Sequence, residues 1–206
     1  MKLFFFYCFP GFSNCYVLGS EGKPGAPGEA IIIDPGSMNN KILHSIEAND
    51  YNLRAALVTH DHLNHVRGLL ALERIYRIDV FAINDTIQDS KATQVKDGET
   101  FSVGPFDVEV IATPGHSPDS VIYKIDNLLF TGDTLTAGLV GSTASAYSAA
   151  TQMNRLRNRL LSLPGDYTVL PGHGPPSTLE AERNFNVGIS QYKELHARKP
   201  TFRLDL

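Results

Sequence analysis

The sequence predicts a layered α/β fold with mixed β-sheets, and three observations lead there. Strand-like and helix-like segments alternate over the first third of the chain. A denser run of strand-like segments then fills the middle and helical patterns return late, which argues against a purely parallel, doubly wound sheet. Five strand-like runs lead into a histidine or aspartate: Asp34 after AIII, His60 after ALVT, His116 after IATPG, Asp133 after LLFTG and His173 after TVLPG. Strand ends of this kind gather at one sheet edge, where loops vary on a rigid frame.

Taken in order, Lys2–Phe9 reads as an aromatic-rich first strand. A secretory or lipoprotein signal competes for the same residues. Its apolar run would be short, Pro10-Gly11 interrupts it, and bulky Asn14 precedes Cys15 where a small residue is expected, so the strand is preferred. Gly19–Gly28 (GSEGKPGAPG) lies between strand-like Cys15–Leu18 and Ala30–Asp34 and reads as a hairpin loop. Further strands are expected at Ala55–Thr59, Asp79–Ala82, Phe106–Ala112, Ser120–Ile125, Asn127–Thr131 and Tyr167–Leu170. Helices are expected at Asn39–Ala48, Asn64–Tyr76, Ser148–Leu163 and Thr178–Asn186; the second carries Val66, Leu69, Leu70, Leu72 and Ile75 at helical spacing.

A chain of 206 residues can bury a hydrophobic core without disulfide staples, and one domain over residues 1–206 is expected. A net charge of -4 argues against nucleic acid as a partner, because phosphate binding needs a basic face. No stretch approaches the ~18 apolar residues of a membrane helix, so no membrane partner is expected. Cys8 and Cys15 could face each other across neighbouring strands, but two cysteines in an otherwise unstapled chain read as free thiols in a reducing cytoplasm. The tail Gln191–Leu206 could dock on the domain or support a homodimer.

The chemistry starts at Thr59-His60-Asp61-His62-Leu63-Asn64-His65. Three histidines in six residues after a buried strand form a ligand cluster, because neutral imidazole is a good nitrogen donor for zinc. Alternation in an extended segment points His60 and His62 to one side, and a helix starting near Leu63 swings His65 back toward them. His116, Asp133 and His173 each follow a strand in a short turn, and Asp133 is a carboxylate able to bridge two cations. His44 and His196 have no ligand neighbours in sequence and read as structural or exposed.

This series resembles the metallo-β-lactamase superfamily, whose members carry His-x-His-x-Asp-His, then a lone His, an Asp and a last His. Asn14-Cys15-Tyr16, Ile33-Asp34-Pro35-Gly36 and Phe130-Thr131-Gly132-Asp133-Thr134 also resemble it, and Pro171-Gly172-His173-Gly174-Pro175 resembles the glyoxalase-II-like hydrolase branch. The resemblance implies a four-layer αββα sandwich of two mixed sheets flanked by helices. It implies one metal held by His60, His62 and His116 and a second held by His65 and His173, with Asp133 shared. The ion would be zinc, one or two per chain, with iron or manganese as other candidates. Asp133 and Asn64 are the candidate catalytic residues. Asp34 is either placed to accept from a ligating imidazole and fix its tautomer, or a capping residue ahead of Pro35.

Two departures shape the functional expectation. Asn64 stands where the family has an aspartate that ligates the second metal, and a neutral amide oxygen is a weaker donor to zinc than a carboxylate. Asp61 cannot substitute, since alternation aims it away from His60 and His62. After Asp133, Ser142 stands where many glyoxalase-II-like relatives carry an arginine, and Thr134–Asn154 holds no charged residue to meet an anionic substrate tail. Arg155, Arg157 and Arg159 read as a solvated helix face, and Arg67, Lys91 and Tyr147 as ordinary surface with substrate contact as the alternative. The leading expectation is a hydroxyacylglutathione-hydrolase-like metallo-hydrolase acting on a small thioester or ester-like molecule, with a weakened second site. A mononuclear iron persulfide-dioxygenase-like oxygenase using His60, His116 and Asp133 is the first alternative, and a catalytically impaired metal-binding member of the fold is the second.

Overall fold

The computed structural model describes residues 1–9 and 11–191, so His196 and the tail beyond Gln191 lie outside the described residues. The first sheet is built from β1 (Lys2–Cys8), β2 (Ser13–Gly19), β3 (Gly28–Ile33), β4 (Tyr51–Leu57) and β5 (Asp79–Ala82). After a small hairpin, β6 (Thr86–Ile87) and β7 (Ser90–Lys91), the short β8 (Thr93–Gln94) closes its far edge. The second sheet takes β9 (Thr100–Val103), β10 (Phe106–Ala112), β11 (Val121–Ile125) and β12 (Leu128–Gly132). A second hairpin, β13 (Leu135–Thr136) and β14 (Leu139–Val140), precedes β15 (Thr168–Pro171) and β16 (Ser177–Thr178), which complete the order β16-β15-β12-β11-β10-β9. Both large sheets are mixed: β3, β4, β5 and β8 run parallel and β1, β2 antiparallel, while in the second sheet only β12 and β15 pair in parallel.

Helices α1 (Asn40–Glu47), α2 (Leu63–Val66) and α3 (Leu69–Ile75) belong to the first half, and α4 (Ala146–Arg155) and α5 (Leu179–Phe185) to the second. The alternating side chains of the strands sort into three cores, which is what makes four layers. Val17, Ile32, Ala56 and Val58 pack toward Ile42, Ile46, Leu69 and Leu72 of α1 and α3. Tyr16, Leu18, Ile31, Ile33 and Leu57 face across to Val108, Val110, Val121, Tyr123, Phe130 and Leu170, so the two sheets bury each other. Ile111, Ile122, Leu129 and Val169 turn the other way, onto Met153, Leu156, Leu160 and Leu179. The sandwich is the expected αββα arrangement.

The direction of the strands positions the site. β10 is antiparallel to β11 and β11 to β12, so β10, β12 and β15 all run the same way. The carboxyl ends of β3, β4, β10, β12 and β15 therefore release Asp34, His60, His116, Asp133 and His173 at one edge. The sheets are stitched there by Val121 N donating to Thr59 O at 2.9 Å and Asn14 N donating to Gly172 O at 2.7 Å.

Three expectations needed correction. The single helix Asn64–Tyr76 is two, α2 and α3, because the chain presses against the Pro35–Met38 segment at Gly68, whose N–H donates to Pro35 O at 2.8 Å. The Ser148–Leu163 helix starts at Ala146 behind an N-cap on Ser145 and widens into a π-turn over Leu156–Leu160. β9 was not anticipated, although its Thr-Phe-Ser-Val sequence alternates between exposed and more buried positions. Cys8 and Cys15 are free and fully buried in the same core, in register with Ser13 and Phe6 rather than with each other. No helix among the described residues is long and apolar enough to cross a membrane.

A Cβ on Gly68 would sit 2.7 Å from Pro35 O, a backbone atom with no room to retreat. Gly68→Ala is expected to lower stability by about 1–3 kcal/mol, read as a reduced urea midpoint at unchanged slope.

Candidate metal centre

Beyond β4 the chain stays extended through His62 (φ -83°, ψ 133°), so His60 and His62 share a side, and the turn of α2 brings His65 back through His65 N donating to His62 O at 2.8 Å. The structure places His62, His116 and Asp133 around His60, with one ligand atom from each of the four inside a 4.8 Å circle. His116 Nε2 lies 3.1 Å from His62 Nδ1 and 3.5 Å from Asp133 Oδ2, and His60 Nε2 lies 3.8 Å from the same oxygen. A second group brings His65, Asp133 and His173 together on the other side of the carboxylate. There His65 Nε2 is 3.4 Å from Asp133 Oδ1, and His173 Nε2 is 3.5 Å from Asp133 Oδ2.

The hydrogen-bond network assigns the tautomers. Thr59 Oγ1 donates to Asp34 Oδ2 at 2.6 Å, so it accepts from His60 Nδ1 at 3.0 Å and leaves His60 Nε2 bare. His116 Nδ1 donates to Ser142 O at 2.9 Å, and His173 Nδ1 donates to Phe12 O at 2.8 Å, which frees both Nε2 atoms. His65 Nδ1 donates to Asp34 Oδ2 at 3.1 Å. Asp34 thus accepts from a histidine of the cluster and from the Thr59 backbone N–H at 2.8 Å; it orients an imidazole and does not cap a helix.

Asn64 sits inside the second group, but as a hydrogen-bond partner: its Nδ2 donates to His173 Nε2 at 3.0 Å. Asp61 lies outside every converging group and accepts from Gln88 Nε2 at 2.7 Å, as its register predicted.

The charges follow from burial and neighbours. Burial, with His65 alongside, pushes His60 down to about 3, so it is a neutral donor at physiological pH. Burial and His116 lower His62 as well. For His65 burial acts downward, but the carboxylates of Asp133 at 3.4 Å and of Asp34, its hydrogen-bond partner, outweigh it and lift the imidazole to about 10. Burial likewise works to raise Asp133, yet His65 and the other histidines around it hold the carboxyl well below the usual range. The result is an anionic carboxylate set between the neutral imidazole of His60 and the cationic one of His65, which would have to release its proton to an ion bound on its side.

The donor set fits a divalent cation. His60 Nε2, His65 Nε2 and Asp133 Oδ1 are buried without a hydrogen-bond partner. Each such atom costs roughly 1–3 kcal/mol if left unsatisfied, and all three face the same space. His60, His62, His116 and Asp133 could hold one ion; His65, Asp133 and His173 offer a thinner second set.

Sequence reasoning missed several positioning groups. Asn14 Nδ2 donates to Pro171 O at 2.8 Å and to Gly174 O at 2.7 Å, and Tyr16 OH donates to Pro171 O at 2.7 Å, so β2 clamps the loop that carries His173. A polar Asn inside a buried strand was the available signal. Gly172 is needed in this loop, since a Cβ there would collide with Asp133 Oδ1. Asp119 Oδ2 accepts from Asp61 N at 2.9 Å and pins the histidine loop. Of the expected surface residues, Arg155 and Arg159 pair with Asp97 at 2.8 and 3.1 Å, His44 is exposed on α1, and Arg67 and Lys91 are exposed. Tyr147 lines a cleft beside His116.

An αββα sandwich whose facing strand ends bring five histidines around one aspartate defines a metal-binding class of proteins. The chain belongs to the metallo-beta-lactamase superfamily, whose family model matches residues 8–173. It is 29% identical over 194 residues, 88% of this chain and 84% of the relative, to a probable polyketide biosynthesis zinc-dependent hydrolase, BaeB, of Bacillus velezensis. It is similar to the crystal structure of the BLEG-1 B3 metallo-beta-lactamase, with TM-score 0.78 and 25% identity over 92% of this chain and all of that one. A di-iron-bound form of TTHA1623 matches with TM-score 0.74 and 26% identity, covering 89% of this chain and 98% of that one.

Asp34→Asn keeps the shape while weakening the acceptor that orients His65 and Thr59. Zinc affinity, measured by competition with a chromophoric chelator, is expected to fall roughly tenfold to a hundredfold with the far-UV spectrum unchanged.

Proposed function

We propose that the protein is a metal-dependent hydrolase that cleaves a small thioester or ester-like substrate with an activated water. The observation that carries the reading is the convergence of ring nitrogens from His60, His62 and His116 on the ionised, half-buried Asp133. A divalent ion held there lowers the pKa of a bound water toward ~7 and polarises a carbonyl oxygen. The similarity to a protein named as a zinc-dependent hydrolase supports zinc, and the di-iron form of another relative keeps iron as the competing metal.

The chain's own residues supply order. Thr59 and Ser142 fix the tautomers of His60 and His116, so each presents a lone pair without rearrangement. Asp133 stays ionised, and its Oδ2 faces His60 and His116, where it can orient the attacking water. No Ser or Cys nucleophile is required.

Asn64 sets the balance between the two metal sites. It contributes no negative charge, and its amide hydrogen already occupies the lone pair of His173 Nε2 that a second ion needs. The working site is therefore the one built on His60, His62 and His116.

Elemental analysis of protein purified without added metal is expected to find one tightly held zinc per chain, and Asn64→Asp is expected to bring a second. Two tight zincs in the unaltered protein would overturn the assignment of Asn64. Hydrolysis of an N-acetylcysteamine thioester is expected to vanish on chelation and return with zinc. Iron in place of zinc, with oxygen uptake on a thiol persulfide, would replace hydrolysis by oxygenation using His60, His116 and Asp133. Absence of turnover with zinc, manganese and iron alike would leave a metal-binding protein without activity.

A further inference from the structure

A cleft of about 290 Å³ opens beside His116, between the turn that carries this histidine and the start of α4. Pro114 and Pro118 line one side, and Ala144, Tyr147, Ser148 and Thr151 the other. Three of these side chains carry hydroxyls, and two of them are already engaged: Ser148 Oγ lies 2.9 Å from Ser145 Oγ at the helix cap, and Thr151 Oγ1 donates to Tyr147 O at 2.9 Å. Apart from the His116 ring and the phenol oxygen of Tyr147, a residue that is 82% exposed, the cleft is lined by proline rings, methyl groups and the Tyr147 ring. Thr134–Asn154, which supplies the whole α4 side, contains no charged residue.

We infer that this cleft receives an uncharged, apolar acyl chain, so that the substrates are aliphatic acyl thioesters or esters rather than ones with a carboxylate-bearing acyl group. The assignment rests on the hydrolase reading above. His116 joins the two places: its Nε2 faces Asp133 at 3.5 Å while its ring borders the cleft. A carbonyl held at the metal centre has its chain beside a surface that rewards apolar burial and offers no cation to a carboxylate. Transfer of a charged group to such a surface without a partner is unfavourable, whereas each buried methylene contributes favourably.

The test compares acetyl, hexanoyl and succinyl thioesters of N-acetylcysteamine on the zinc-loaded protein. Hexanoyl is expected to exceed both acetyl and succinyl in kcat/KM by roughly tenfold to a hundredfold. Ala144→Lys, at an exposed position, is expected to cut the hexanoyl-to-succinyl ratio at least tenfold. Equal handling of hexanoyl and succinyl, or an unchanged ratio in Ala144→Lys, would overturn the inference. A second arm is independent of turnover: hexanamide titrated into the zinc-loaded protein is expected to shift the amide resonances of Ala144, Tyr147, Ser148 and Thr151. Shifts there without any thioester cleavage would uphold the cleft and refute the hydrolase reading; no shift there would refute the cleft whatever the activity.

Discussion

One buried carboxylate, Asp34, holds the site together. It lies at the end of β3, 2% exposed, in a left-handed backbone conformation with φ 49°. Its oxygens accept from the Thr59 backbone, the Thr59 hydroxyl and His65 Nδ1. Through Thr59 it sets the ring of His60, and through His65 it reaches the other side of Asp133. Both metal-binding groups are thus registered against one anion, which is itself fixed because Asp34 N donates to Leu57 O at 3.1 Å across the parallel β3–β4 pair. A buried charge of this kind is tolerated because three donors satisfy it.

The sequence disclosed most of the layering because the strands alternate cleanly. β5 and β10 fall where the apolar runs place them, and the other long strands differ by a few residues at their ends. β3 and β4 end before Asp34 and Thr59 because the side chains of these two residues turn into the site, where the Asp34 carboxylate accepts from the Thr59 backbone and hydroxyl. The break at Gly68 was invisible to periodicity, since Val66, Leu69 and Leu72 keep helical spacing across it while the cause is the distant Pro35 carbonyl. Short segments such as β6 to β9 owe their pairing to neighbours, not to local preference.

The histidine pattern showed which residues converge, but not how each is held. Ser142 illustrates the gap. Read by residue type it is the loss of an arginine; in the fold its backbone carbonyl orients His116. Asn14 and Tyr16 act in the same indirect way on the His173 loop, from a strand on the opposite sheet. Contacts of this kind join main-chain atoms to side chains 26 residues away for His116 and 157 for Asn14, and no local pattern encodes them.

The origin of the ligands also has a thermodynamic consequence. His60, His62 and His65 follow a strand of the first sheet, and His116, Asp133 and His173 follow strands of the second. Neither half can assemble the cluster alone, and an unfolded chain has no preformed cluster. Whatever free energy an ion gains on binding is therefore added to the docking of one sheet on the other, by mass action. Metal occupancy would act as a cross-link between the two halves of the sandwich, with a strength set by the ion's free concentration in the surroundings.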